Sequence, residues 1–106
     1  MTEFVKVARV EEIPDGERLW REFEEETLII FNVDGTFYAI ADLCTHDGGP
    51  LEDANREGYS VECPRHGACF DIRNGRALSF PATEPVPTFE TKVEDGYVYV
   101  EDPDVW

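Results

Sequence analysis

Every histidine in this chain follows a cysteine by two or three residues. Cys44-Thr45-His46 and Cys63-Pro64-Arg65-His66 together give the pattern C-x-H-x16-C-x2-H. Three cysteines and two histidines scattered over 106 residues would not be expected to fall this way. Side chains a few residues apart on one loop can reach the same ion or cluster, so the spacing is that of a metal site. Thiolate plus imidazole suits zinc or an iron–sulfur cluster. Zinc fingers usually pair cysteine with cysteine and histidine with histidine, whereas here each loop supplies one of each. If the two loops approach symmetrically, each can place its cysteine on an inner iron and its histidine on an outer iron. That is the mixed ligation of one class of [2Fe–2S] cluster. Cys69 is left over. Strand alternation would point it away from Phe70, as a thiol with no metal role. An odd cysteine count also argues against a disulfide framework.

At 106 residues the chain is one domain, small enough for a bound cluster to serve as a staple. Nine Lys and Arg face 24 Asp and Glu, a net charge of −15. Such a balance excludes binding to a nucleic-acid backbone or an anionic membrane, and suits a soluble protein or one that docks on a basic partner. The apolar runs Leu28–Phe31 and Phe37–Ala41 are far too short for a membrane span. Met1–Lys6 has no basic-then-apolar signal pattern, so the expected location is the cytoplasm.

Turn residues punctuate the sequence throughout. Asp34-Gly35, Asn74-Gly75 and Asp95-Gly96 each sit between β-like segments and read as hairpin turns, whose central residues need positive φ. The strands expected are about 3–9, 17–23, 26–33, 36–42, 59–63, 68–72, 76–80, 88–93 and 97–101. One short helical turn is expected at Val10–Ile13, stopped by Pro14. Two stretches break the pattern, 43–58 and the proline-rich 81–87. The first carries half of the metal motif, so function is the better explanation for its length. The acidic run Glu22–Glu26 reads as a solvated hairpin edge that resists strand pairing.

The boxes Cys44-Thr45-His46-Asp47-Gly48-Gly49-Pro50-Leu51 and Cys63-Pro64-Arg65-His66-Gly67-Ala68-Cys69-Phe70-Asp71 resemble the two cluster-binding boxes of the Rieske family. Asn74-Gly75, Pro81-Ala82 and Pro85-Val86-Pro87 resemble its usual continuation. The resemblance implies an all-β fold: an antiparallel sandwich or barrel-like base, with a small cluster-binding subdomain inserted at about 43–82 of a single domain spanning 1–106. It implies one Rieske-type [2Fe–2S] cluster held by Cys44, His46, Cys63 and His66. Gly48, Gly49 and Gly67 would let the backbone approach the sulfides and donate to them. The chain's length resembles a Rieske-type ferredoxin. Such a protein is a monomeric one-electron carrier and not an enzyme, fed by a flavin-dependent NAD(P)H reductase and discharged by a terminal oxygenase or another redox enzyme.

A small subunit of a nitrite-reductase-like complex is the alternative. A terminal oxygenase is rejected on inventory, because its mononuclear iron needs two further histidines and a carboxylate. High-potential members of the family carry two extra cysteines, a serine and a tyrosine where this chain has Gly49, Arg65, Ala68 and Phe70. Without the two hydroxyl donors to sulfur, and with the net charge of −15, the resemblance implies a low-potential member.

Overall fold

The computed structural model describes residues 3–45, 49–51, 53–64, 67–80, 82 and 84–104. Among the described residues, ten strands and one turn of 3-10 helix follow in order. They are β1 (Phe4–Arg9), the 3-10 turn (Val10–Glu12), β2 (Arg18–Glu22), β3 (Thr27–Val33), β4 (Thr36–Ala41), β5 (Asn55–Glu57), β6 (Ser60–Glu62), β7 (Cys69–Asp71), β8 (Thr88–Phe89), β9 (Thr91–Glu94) and β10 (Tyr97–Glu101). All pairings are antiparallel, in three sheets ordered β1-β10-β9, β2-β3-β4-β8 and β5-β6-β7. The fold is all-β, as the sequence implies. No helix of the described residues is long and apolar enough to cross a membrane.

The sheet β2-β3-β4-β8 is a shared wall. Alternation along β3 sends Leu28 and Ile30 to one face and Ile29, Phe31 and Val33 to the other. The first face closes against Val7, Ala8, Val98 and Val100 of the β1-β10-β9 sheet. The second closes against Leu51, Val61, Phe70, Ile72 and Val86, together with Cys44 and Cys63. Burial on both faces explains why the run Leu28–Phe31 is continuously apolar and not alternating. Val7 and Ala8 are consecutive yet both buried, because the register between β1 and β10 slips at this point in a bulge.

Two of the three expected hairpin turns form as read. Asp34 and Gly35 take φ of 54° and 84°, and Asp95 and Gly96 take 53° and 81°. The left-handed region at both positions is what a type I′ turn requires. The short turn at Val10–Glu12 and the edge position of the acidic run beside β2 also agree with the sequence.

Three expectations are corrected. Residues 76–80 form no strand. Ala77 makes an isolated bridge to Phe70, and the Cys69 amide donates to the Ser79 hydroxyl at 3.2 Å where a ladder would need a carbonyl. Residues 88–93 are two strands, because the chain leaves the wall after Phe89 and joins the outer sheet at Thr91. The Glu101 amide bonds the Glu90 carbonyl at that crossing. Finally, β5 was hidden in the long loop because Asn55-Arg56-Glu57 has no β-forming side chain. It pairs because Gly58, at φ 62°, turns the chain, and Arg56 donates to the Gly58 carbonyl at 2.6 Å.

Candidate metal centre

Each cysteine closes its own loop in the same way. The Cys44 amide donates to the carbonyl of Gly49 at 2.8 Å, and the Cys63 amide donates to that of Ala68 at 2.7 Å. In both cases the acceptor lies five residues on, so the two boxes are closed by the same backbone hydrogen bond. Both cysteines are fully buried and belong to the same core. The structure therefore places two side chains 19 positions apart in sequence, one from each box, in the same core. His46 and His66 lie outside the described residues, as do Asp47, Gly48 and Arg65. Among the described residues alone, no group of three His, Cys, Asp or Glu side chains is placed to hold an ion.

The first loop is fixed by a residue that sequence reading did not single out. Asp42 Oδ1 accepts from the Leu51 amide at 2.5 Å, and the Asp42 amide is itself bonded to Thr27 of β3. A carboxylate two residues before a cysteine, at the end of a strand, is the signal that could have found it. The Thr45 hydroxyl donates to the Glu84 carbonyl at 2.7 Å, which ties the first box to the proline-rich stretch.

In the second loop Gly67 has φ 75°, which an L side chain resists. Its amide donates to the Cys63 carbonyl at 2.9 Å, which closes the loop on itself. Ala68 and Phe70 are both fully buried in the cysteine core. Cys69 is half-buried in β7, its Sγ 3.6 Å from the Gly67 carbonyl, and lies outside that core as expected.

Gly75 holds the far side of the layer. A Cβ there would lie 2.1 Å from the Val86 carbonyl oxygen, and φ is 80°. Only glycine lets the 72–75 turn lie against the proline-rich stretch, where the Val86 amide donates to the Gly75 carbonyl. Leu78 and Phe80 follow, 51% and 84% exposed, with the Leu78 amide held by the Cys69 carbonyl. This leaves an apolar knuckle beside the second box.

The donor chemistry fits an iron–sulfur cluster. Two buried thiols lie in one apolar core, each on a turn whose backbone is already hydrogen-bonded. Comparison with known proteins agrees. The family model of the Rieske [2Fe-2S] domain matches residues 3–90. The 3-phenylpropionate/cinnamic acid dioxygenase ferredoxin subunit of Photorhabdus laumondii is 39% identical over 95 residues, covering 89% of this chain and 90% of that protein. Its counterpart in Escherichia coli is 38% identical over 96 residues, with 90% of each covered. Among solved structures, the Sphingomonas yanoikuyae B1 ferredoxin matches with a TM-score of 0.86 and 35% identity, over 95% of this chain and all (100%) of that one. A chain in the complex of reduced oxygenase and oxidized ferredoxin in carbazole 1,9a-dioxygenase matches at 0.86 and 32%, with 92% of each covered. The chain belongs to the Rieske [2Fe–2S] domain family, as a ferredoxin that carries electrons on a Rieske-type cluster.

Proposed function

We propose that Cys44, His46, Cys63 and His66 hold the cluster, thiolates on one iron and imidazoles on the other, and that 43–82 acts as the cluster-binding unit of a single domain. The observation that carries this reading is the burial of Cys44 and Cys63 in one core, each at the start of a matching five-residue closure. The bound cluster supplies a one-electron couple. The chain's own residues exclude water from the thiolates and fix the loops. In this reading a flavin-dependent NAD(P)H reductase is the donor and a terminal oxygenase the acceptor, and the protein works as a cytoplasmic monomer. The named relatives that are ferredoxin subunits of dioxygenases support the acceptor. Both partners dock where the histidine-bearing iron is nearest solvent. Leu78 and Phe80, exposed beside the second box, give that end an apolar contact.

Iron and acid-labile sulfide should each be about two per chain. His66→Cys should change or abolish the visible and EPR spectra, because thiolate is the more electron-rich ligand. A colourless protein with stoichiometric zinc overturns the assignment. Voltammetry should place the midpoint near the bottom of the Rieske range, about −150 mV. Ala68→Ser with Phe70→Tyr should raise it by supplying hydroxyl donors to sulfur. A midpoint above about +100 mV overturns the low-potential reading.

A further inference from the structure

We infer that Asp104 is a latch that fastens the tail of the outer sheet to the tip of the β2–β3 hairpin, and that ionic strength decides how tightly it holds. The inference is independent of the ligand assignment proposed above. The hairpin ladder ends at the pair Glu22 and Thr27, and the Phe23 amide closes the turn on the Glu26 carbonyl at 2.7 Å. The amides of Glu24 and Glu25 are thereby left at the tip, outside the ladder. Both find the same carboxylate. Glu24 donates to Asp104 Oδ2 at 3.2 Å and Glu25 to Asp104 Oδ1 at 2.9 Å, across 80 and 79 positions of chain. Two successive amides aimed at one group form a small anion cradle. The tail is bent toward it by its own bonds. The Asp102 amide donates to the Glu3 carbonyl at 2.8 Å, and Asp102 Oδ1 accepts from the Asp104 amide at 2.9 Å. The latch joins the two sheets at the end of the wall from which the first box departs, because the Thr27 carbonyl takes the Asp42 amide at 2.8 Å.

The charge around this contact makes it a switch. Glu22, Glu24, Glu25 and Glu26 place four carboxylates in five residues, and Asp102 adds a fifth beside Asp104. Among the described residues no lysine or arginine makes an ion pair with any of the six. A carboxylate is therefore docked against like charges with no cation to offset them.

Two effects oppose each other. Charge-assisted hydrogen bonds from the amides draw the carboxylate in over a single bond length. Repulsion pushes it out through solvent, where salt screens it. Glu24 and Glu25 bear their charges on the very residues whose amides hold Asp104, so side-chain length confines each separation to roughly 5–9 Å. In water each such pair biases an equilibrium roughly two- to fourfold, and the two together about tenfold. The screening length is about 30 Å at 0.01 M salt, which leaves the repulsion intact, and about 3 Å at 1 M, which removes it. The latch is loose in dilute buffer and tight at high salt.

Millisecond hydrogen-exchange mass spectrometry on the holoprotein, resolved at Glu24 and Glu25, tests this between about 0.01 M and about 1 M sodium chloride. Protection of the two amides should rise about tenfold with salt. The Gly35 amide, which donates to the neutral Asn32 Oδ1 at 2.9 Å in the β3–β4 turn, is the reference and should not follow. Asp104→Ala should remove both the protection and its salt dependence. Glu24→Gln combined with Glu25→Gln keeps both amides and should bring low-salt protection close to the parent's high-salt level. Spermidine, as a trivalent probe, should reproduce the effect of salt in dilute buffer, as the cations of a docked basic partner would. Parent protection that is flat or falls with salt overturns the inference, and so does an equal rise at Gly35. Asp104→Ala with parental protection, a double variant with unaltered low-salt protection, or no response to spermidine each overturns it as well.

Discussion

Ile29 and Ile30 are neighbours on β3, both fully buried, yet they belong to different cores. Ile30 faces a core roofed by β1, β10 and β9, where ladder hydrogen bonds hold every wall. Ile29 faces the cysteine core, whose roof is three strands of three residues each, closed by turns and side chains. Charge divides the molecule along the same line. Residues 43–82 hold six carboxylates against four arginines, while the remainder holds eighteen against five cations. The base can fold on apolar burial and tolerate its own repulsion. The roof over the cysteines has less of both and takes its last constraint from the cluster.

Removing the metal gives the largest expected separation of the two regions. On chelation of iron under reducing conditions, amides of β5, β6, β7 and the two boxes should exchange with solvent at least about a hundredfold faster, a loss of roughly 2.7 kcal/mol of local protection. Amides of β3 facing β2 and those of β10 should keep theirs, as read by hydrogen-exchange mass spectrometry. Uniform loss across both regions would show a single cooperative unit.

Substituting the two isoleucines tests the same boundary at finer grain. Ile29→Ala and Ile30→Ala should each cost about 2–5 kcal/mol in denaturant unfolding. Only Ile29→Ala should also broaden the visible spectrum of the bound cluster. An identical spectral response from both would merge the two cores.

The glycine turns come next. Gly75→Ala puts a methyl 2.1 Å from the Val86 carbonyl at φ 80°, whereas at Gly35, φ 84°, nothing lies within 4 Å. Gly35→Ala should cost about 1–2 kcal/mol, from the left-handed backbone alone. Gly75→Ala should cost clearly more and loosen the proline-rich stretch. Equal melting temperatures for the two variants would refute the close-approach argument.

The smallest effect belongs to Asp71. The Arg73 guanidinium donates to both of its oxygens, at 3.1 and 2.9 Å, and holds the carboxyl below the usual carboxylate range. A folded-state pKa depressed in this way contributes stability that is complete above about pH 3.9. The contribution fades as pH falls through the depressed value. Asp71→Asn should therefore melt lower than the parent at neutral pH, and the gap should close on acidification. Melting curves of the metal-free protein across that range check the sign, and a gap independent of pH would assign the role to shape and not to charge.

The sequence announced the base through chemistry that acts locally. Asp-Gly pairs demand positive φ, and Val98 and Val100 alternate with Tyr97 and Tyr99 in the order the observed burial follows. The cysteine layer was legible in its ligands and not in its scaffold. Asn55-Arg56-Glu57 lacks any apolar signal and pairs because of Gly58 and the Arg56 clamp. Ala77 to Phe80 has the composition of a strand, but Ser79 takes the hydrogen bond that a ladder needed. Arg18 and Asp42 act through carbonyls and amides of residues far along the chain, and no spacing rule reports such contacts.

The shared wall also bears on the order in which this protein can be made. The meander β2-β3-β4, to which β8 is added only later, is complete at Ala41, three residues before Cys44 is added to the growing chain. The opposite sheet cannot close until Phe4 meets Glu101, almost the full length of the chain later. The surface that will lie under the cysteines thus exists before they emerge. The face carrying Leu28, Ile30 and Phe37 stays uncovered through nearly all of synthesis. Long-range closure is the slow event in β proteins, so the hazard of aggregation during biogenesis lies on the side away from the metal. Acquisition of iron and sulfide can proceed before that side is sealed.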